Sequence, residues 1–433
     1  MKRNFKKLIA IALSTAAMIT VLSGCGSETT SDAPKKSDTS TKQPVTLTYA
    51  IWDKNQEPGM KAIADAFTQE NPNIKVKVEV TPWNQYWTKL EAAATGGELP
   101  DVFWMHVNNF LKYQSNGLLM DITDRLKDSK DVDLNNFPEG LVDLYTADEK
   151  KYAIPKDYDT IALWYNKTLF DQANIPYPDD TWDWNKLLEV AQKLTDPSKG
   201  IYGFSAPQID QEGYWNFIYQ NGGYVISEDR KKSGYDQEAT KEAIQFYADL
   251  SLKYKVSPTI QQFADTSSNQ YFESGKTAMC LAGSWMISEF GANDYVKQNC
   301  DLTVIPHGKE KASIYNGLGN AVSAKTKHPE EAWKFLEFMG TKEANMIQGQ
   351  KGAAIPAYKG CESAWIDFNK GFNVKAYSDM LEYGVIYQNS KTAPKWSESQ
   401  KTYMTKILSG QVSVEDGCNQ LAKEMNGFLD SEK

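Results

Sequence analysis

Residues 45–104 alternate between two hydrophobic periods, and that alternation restricts the fold more than any other feature of the chain. Val45, Leu47, Tyr49 and Ile51 are spaced by two, the period of a half-buried strand. Met60, Ile63, Ala64 and Phe67 follow at helical spacing, and Asn71-Pro72 stops the helix. Ile74, Val76, Val78 and Val80 return to the strand period. Tyr86, Trp87, Leu90 and Ala94 form a second helix, closed by Gly96-Gly97. Residues 100–104 complete the unit as a short strand. A β-α-β-α-β order predicts a mainly parallel sheet with helices on its faces.

A second unit begins after a proline-marked break. Pro155 has no N–H and a fixed φ, so it interrupts any regular element. The polar cluster Asp157-Tyr158-Asp159 follows, and then Ile161, Leu163 and Tyr165 alternate as a strand. Thr181 is placed to cap a helix carrying Trp184, Leu187, Leu188, Ala191 and Leu194. Residues 201–205 and 277–281 read as short strands, the latter leading into Gly283-Ser284-Trp285. Residues 302–306 and Ile355-Pro356 read as return crossings, and Pro329 opens a helix that Gly340 stops. At 433 residues the chain exceeds one ordinary core, so two domains are expected.

The first 25 residues carry an address. Lys2, Arg3, Lys6 and Lys7 precede an apolar stretch, residues 8–22, too short to span a bilayer comfortably. It ends in Leu22-Ser23-Gly24-Cys25, which resembles a bacterial lipobox, with Cys25 the lipidated first residue of the mature chain. The other reading is an ordinary secretory signal with a chance cysteine. Residues 26–43 are nearly free of large apolar side chains and read as a disordered tether, with a reach of about 20–25 Å. An extracytoplasmic location permits disulfides. Cys280, Cys300, Cys361 and Cys418 allow three connectivities; Cys280–Cys300 is preferred by proximity, and buried free thiols are the alternative. A net charge of −9 argues against nucleic acid as a partner.

Several landmarks now stand in a recognisable order. They are the first strand with Trp52, the helix through Phe67, and residues 89–103 (KLEAAATGGELPDVF). Residues 163–170 (LWYNKTLF), the Pro178-x-x-x-Trp182 helix start, Gly283-Ser284-Trp285 and the run from Ala332 to Leu336 follow. Together they resemble the family 1 extracellular solute-binding proteins, the lipoprotein receptors of carbohydrate ABC transporters, of the maltodextrin-binding type. The resemblance implies a two-lobed periplasmic-binding-protein-like α/β fold of type II, with discontinuous lobes joined by crossing hinge segments. The limits expected are 44–153 with 307–356 for the N-lobe, and 154–306 with 357–433 for the C-lobe. It also implies an oligosaccharide ligand, ABC permease subunits and indirectly their ATPase as partners, a lipid anchor on the outer face of the cell membrane, a monomer, and neither cofactor nor metal. A polyamine, metal or peptide ligand on the same fold, or a surface glycan-degrading enzyme, are the rivals.

Sugars present C–H faces to aromatic rings and hydroxyls to polar groups, so a site wants rings beside carboxylates and amides. Twelve Trp and 23 Tyr exceed what the core needs. Trp285, after a Gly-Ser turn, is the first stacking candidate. Trp52 stands at a carboxyl strand edge, where open α/β sheets bind ligands. Trp83, Tyr214 and Trp215 complete the aromatic set. Asp157, Tyr158, Asp159, His106, Asn108 and Asn320 are the polar candidates. Turn capping beside Pro155 explains the two aspartates equally well. No G-x-S-x-G elbow or P-loop occurs, and the three histidines are scattered.

Overall fold

The structure, a computed structural model, describes residues 44–432. The expected lipobox Cys25 and tether therefore lie outside the described residues. Two sheets, one in each lobe, form the framework of an α/β fold.

The first sheet has the order Ile74–Val80, Val45–Ile51, Val102–Met105, Gly319–Val322, Ala153–Pro155. The first three strands are parallel, as the β-α-β-α-β pattern requires. Gly319–Val322 arrives from far along the chain and inserts antiparallel to both neighbours. The Glu57–Glu70 helix buries Met60, Ile63, Ala64 and Phe67, and Phe67 meets the rings of Phe335 and Phe338 from the Pro329–Met339 helix. Met60, Ile63 and Phe67 each contribute about 1.5–3 kcal/mol on burial.

The second sheet is antiparallel, with Ile161–Asn166 between Cys300–Thr303 and Met279–Gly283. All six residues of the central strand are buried. Residues 302–306 therefore do not form a crossing: Leu302 and Thr303 pair with Trp164 and Leu163. The return to the first sheet comes later, at 316–318. The helix expected from Thr181 starts at Trp184, because the Asp183 carboxylate accepts from the Lys186 N–H while Thr181 bonds Asp179.

Three chain passages meet between the sheets. Asp157–Tyr158 pairs with Ile355–Pro356, and Asp159 bridges Asn316. The Lys156 N–H donates to Leu318 O (2.7 Å), and Lys156 O accepts from the Ala357 N–H (3.2 Å). Gly317 allows this approach, since a Cβ there would lie 2.2 Å from Asp157 O. Lys156 is thus the residue at which all three passages touch.

Among the described residues, Cys280, Cys300, Cys361 and Cys418 are buried and free. Cys300 faces Asn166 and Cys280 faces Trp164, on opposite sides of the same strand. Two strand spacings separate them by about 9–10 Å, beyond the roughly 7 Å that a disulfide spans. The preferred Cys280–Cys300 pairing is thereby replaced by two thiols. Dithiothreitol is expected to leave the melting temperature unchanged to within about 1 °C; a drop of about 3 °C or more would indicate a bond.

Candidate functional site

The carboxyl ends of the first sheet carry a nest of aromatic rings. Trp52 packs edge-on against Trp83 (5.1 Å), Tyr86 (5.0 Å) and Trp104 (5.0 Å). Trp83 and Trp87 are one helical turn apart in the Trp83–Gly96 helix, so they share a face. Trp104 and Tyr86 are fully buried, whereas Trp83 is 46% exposed. Trp83 is held at its edges by Trp52, Trp87 and His106. It is the ring of this nest that offers open surface to a ligand.

His106 caps the Val107–Ser115 helix through Nδ1, accepting from the Asn108 N–H at 3.2 Å, and its Nε2 meets the Asn316 amide at 3.0 Å. Burial pushes its pKa down to about 4, so the ring is neutral near neutral pH. The Asn108 Nδ2 donates to Tyr387 Oη (3.3 Å), and Tyr387 Oη donates to Asp210 Oδ2 (2.7 Å). This relay crosses from the first half of the molecule to the second.

Opposite the ring nest stands a π-helical turn, Asp210–Tyr214, of the kind that recurs at functional sites. Gly213 leaves helical geometry inside it, and Asn216 Nδ2 braces it by donating to Gln211 O (2.7 Å). Three consecutive side chains reach three different segments. Asp210 accepts from Tyr387, and Gln211 Nε2 donates to Asp159 Oδ1 (2.6 Å). Glu212 Oε1 accepts from the Gly283 N–H (2.9 Å). Trp285 folds back over that strand end: a Cβ on Gly283 would lie 2.1 Å from its ring. Burial, reinforced by the Asp157 charge, raises the Asp159 carboxyl well above the usual carboxylate range. Burial likewise pushes Glu212 up to about 7, offset in part by the Gly283 N–H.

A cavity of about 610 Å³ opens beside this arrangement, within the size range of small-molecule sites. Trp83, Trp87 and Asn108 form one wall, and Gln208, Asp210 and Tyr214 a second. Ser397, Gln400 and Lys401 of the Ala393–Leu408 helix close the third. Trp87 Nε1, Asn108 Oδ1 and Ser397 Oγ have no hydrogen-bond partner among the described residues. Unpaired buried polar atoms are costly, and three on residues lining one cavity are suited to a hydroxyl-rich occupant.

Of the residues expected in the site, Trp83, Asn108 and Tyr214 line this cavity, Trp52 and His106 stand behind the Trp83 ring, Asp159 is bonded to Gln211 of the π-helical turn, and Trp285 lies at Gly283, the strand end that Glu212 holds. Four lie elsewhere. Trp215 is fully buried against Tyr387 and Trp396, with Nε1 bonded to Tyr235 and Gln400. Asn320 is 2% exposed and accepts from Tyr49 Oη at 2.7 Å inside the first lobe. Asp157 has both oxygens engaged, by Lys156 Nζ and the Leu318 N–H. Tyr158 is 6% exposed and pairs with Ile355 at the crossing. Asp210, Gln211, Glu212, Asn316 and Tyr387 were not among the expected residues. Only the acidic run 210–212 before Tyr214 signals the turn in the sequence.

The sequence model of the family described as "Bacterial extracellular solute-binding protein" matches residues 53–346. The chain belongs to that family. Among solved structures, this solute-binding protein is similar to an ABC substrate-binding protein from Listeria monocytogenes in complex with cycloalternan. That likeness has a TM-score of 0.84 and 26% identity, and covers 90% of this chain and 100% of that one. The maltose-bound MalE3 protein of T. maritima superposes with a TM-score of 0.76 at 20% identity, covering 89% and 100% of the two chains. The galactooligosaccharide-binding protein of Bacillus subtilis is 26% identical over 365 residues, 82% of this chain and 81% of that one. These relatives are binding proteins, and the superpositions match the two-lobed α/β architecture.

Proposed function

We propose that this solute-binding protein captures an oligosaccharide between its two lobes and delivers it to the permease of an ABC importer. The observation that carries the reading is the face-to-face placement of the exposed Trp83 ring and the Asp210–Tyr214 turn. Between them they offer a stacking platform and fixed hydroxyl partners. The cycloalternan complex of the Listeria relative and the galactooligosaccharide-binding relative of Bacillus subtilis support the ligand class. The chain is a receptor and not an enzyme, working as a monomer on the outer face of the membrane, lipid-anchored at Cys25. Transport energy then comes from the partner ATPase.

One lobe comprises 44–153 with the return segment up to 356, and the remainder forms the other. The return is set at 316–318 because Ser313–Tyr315 still pairs with Gly384–Ile386. Closure is a hinge motion about residues 155–159, 316–318 and 355–357, favoured by a ligand that touches both lobes only when they are shut.

A thermal-shift panel of maltotriose, galactotriose, xylotriose, trigalacturonate, putrescine and a tripeptide tests this. A ligand at 100 times its Kd adds about 2.7 kcal/mol, or about 3 °C for a chain of this length. At least one neutral trisaccharide is expected to reach that shift without being cleaved. A shift with putrescine or the tripeptide alone, or turnover of a sugar, contradicts the proposal.

A further inference from the structure

Two carboxyl groups tied to the Asp210–Tyr214 turn have no cation bonded to them among the described residues. Asp159 engages Oδ1 with Gln211 Nε2 and the Asn316 N–H, and Glu212 engages Oε1 with the Gly283 N–H. The second oxygen of each has no hydrogen bond among the described residues. The neighbouring elements add charge of the same sign. Asp210 lies on the same turn, Glu289 on the Ile287–Ala292 helix, and Asp53, whose charge reaches Glu289, just beyond the first strand. Lys156, the buried cation at the hinge, is already paired with Asp157. His106 is neutral, and Lys401 sits one turn from Glu398 on the outer wall of the cavity.

A second observation points to an occupant. Asn316 is 1% exposed and lies against Asp159. Its amide nitrogen bonds His106 Nε2, and its amide oxygen has no partner among the described residues. A carboxyl pair with no cation beside it, next to an unsatisfied amide oxygen, suits an uncharged donor of hydroxyl groups, and in its ionised form it repels an anion.

We propose that Asp159 and Glu212 set the charge class of the ligand: the cleft takes uncharged saccharides, rejects carboxylated ones, and releases a proton on capture. This rests on the saccharide reading above. In the free protein Glu212, raised to about 7 by burial, is partly protonated near neutral pH. Sugar hydroxyls donate to the ionised form, so binding selects that form and its proton passes to water. Burial raises Asp159 in the same sense, so affinity rises with pH as the two carboxyls ionise, at least up to the Glu212 midpoint. Below the midpoint it falls by up to about tenfold per pH unit.

Calorimetric titration of the intact protein with maltotriose, galactotriose and trigalacturonate, at about pH 5.5 and about pH 8, tests the proposal. The neutral sugar that binds is expected to lose at least about tenfold in affinity at the lower pH. Trigalacturonate is expected to bind at least about 100-fold more weakly than that sugar at the higher pH. Glu212→Gln is expected to flatten the pH dependence, with Glu212→Ala as the second variant should the first fail to fold. Equal affinity for trigalacturonate, a pH-independent Kd, or an unchanged slope in the variants overturns the proposal. A carbon-13 carboxyl titration of Glu212 in the ligand-free protein decides independently of any sugar. A midpoint near neutrality is expected, and one below about pH 5 overturns the proposal. If neither neutral sugar binds, the saccharide reading fails, and the carboxyl titration still reports on Glu212.

Discussion

Replacing Lys156 with methionine is expected to destabilise the protein by about 3–5 kcal/mol at neutral pH, a fall of about 4–6 °C in melting temperature. The Lys156 side chain is 1% exposed, and its Nζ lies 2.6 Å from Asp157 Oδ2 and 2.7 Å from Gln56 Oε1. It also sits 4.3 Å above the centre of the Trp104 ring. Removing the ammonium leaves a buried carboxylate with the Leu318 N–H as its remaining partner. The large effect is the cost of that orphaned charge, not the worth of the pair. A double variant, Lys156→Met with Asp157→Asn, removes both charges and is expected to recover much of the loss. Denaturant melts of the three proteins check this. A single variant that melts within about 1 °C of the parent would mean that the pair carries no such burden.

Trp83→Ala is expected to weaken saccharide binding by about 30-fold or more, which is about 2 kcal/mol, while changing the melting temperature little. The ring is 46% exposed and touches the core only at its edges, so little packing is lost. The contrast is Trp104→Ala. That ring is fully buried and donates to Tyr49 Oη at 2.6 Å, and its removal is expected to cost about 3–5 kcal/mol of stability. Titration calorimetry and thermal melts on the two variants separate the roles. Equal affinity in Trp83→Ala would remove the ring from the site.

Much of the fold was legible because it depends on local periodicity. The strand and helix spacings between Val45 and Trp104 are direct records of which faces are covered, and the parallel strands follow from them. The crossings were harder to read. Pro155 and Pro356 mark two of them, but Pro306 lies just past a strand of the second sheet, because proline reports a local break and not its destination. The third passage runs through Gly317, whose role is a close approach to Asp157 O that no local pattern encodes.

The site was legible where a side chain stands at a strand edge, as with Trp52 and His106. It was not legible where the decisive fact is a partner distant in sequence. Asn320 follows two glycines and looked free to meet a ligand, yet Tyr49 occupies its oxygen. Tyr387 and Asp210 become a pair only when residues 177 positions apart are brought together. Glu212 is one acid among many in the sequence, and becomes distinctive only when the fold buries it at a strand end.

The most direct measurement is a crystal structure of the protein with the neutral trisaccharide that gives the largest thermal shift. A sugar ring is expected in contact with Trp83 on one side and with the Asp159, Gln211 and Glu212 group on the other, so that both lobes touch the same molecule. A sugar bound to one lobe alone, or bound elsewhere with this space empty, would contradict capture between the lobes.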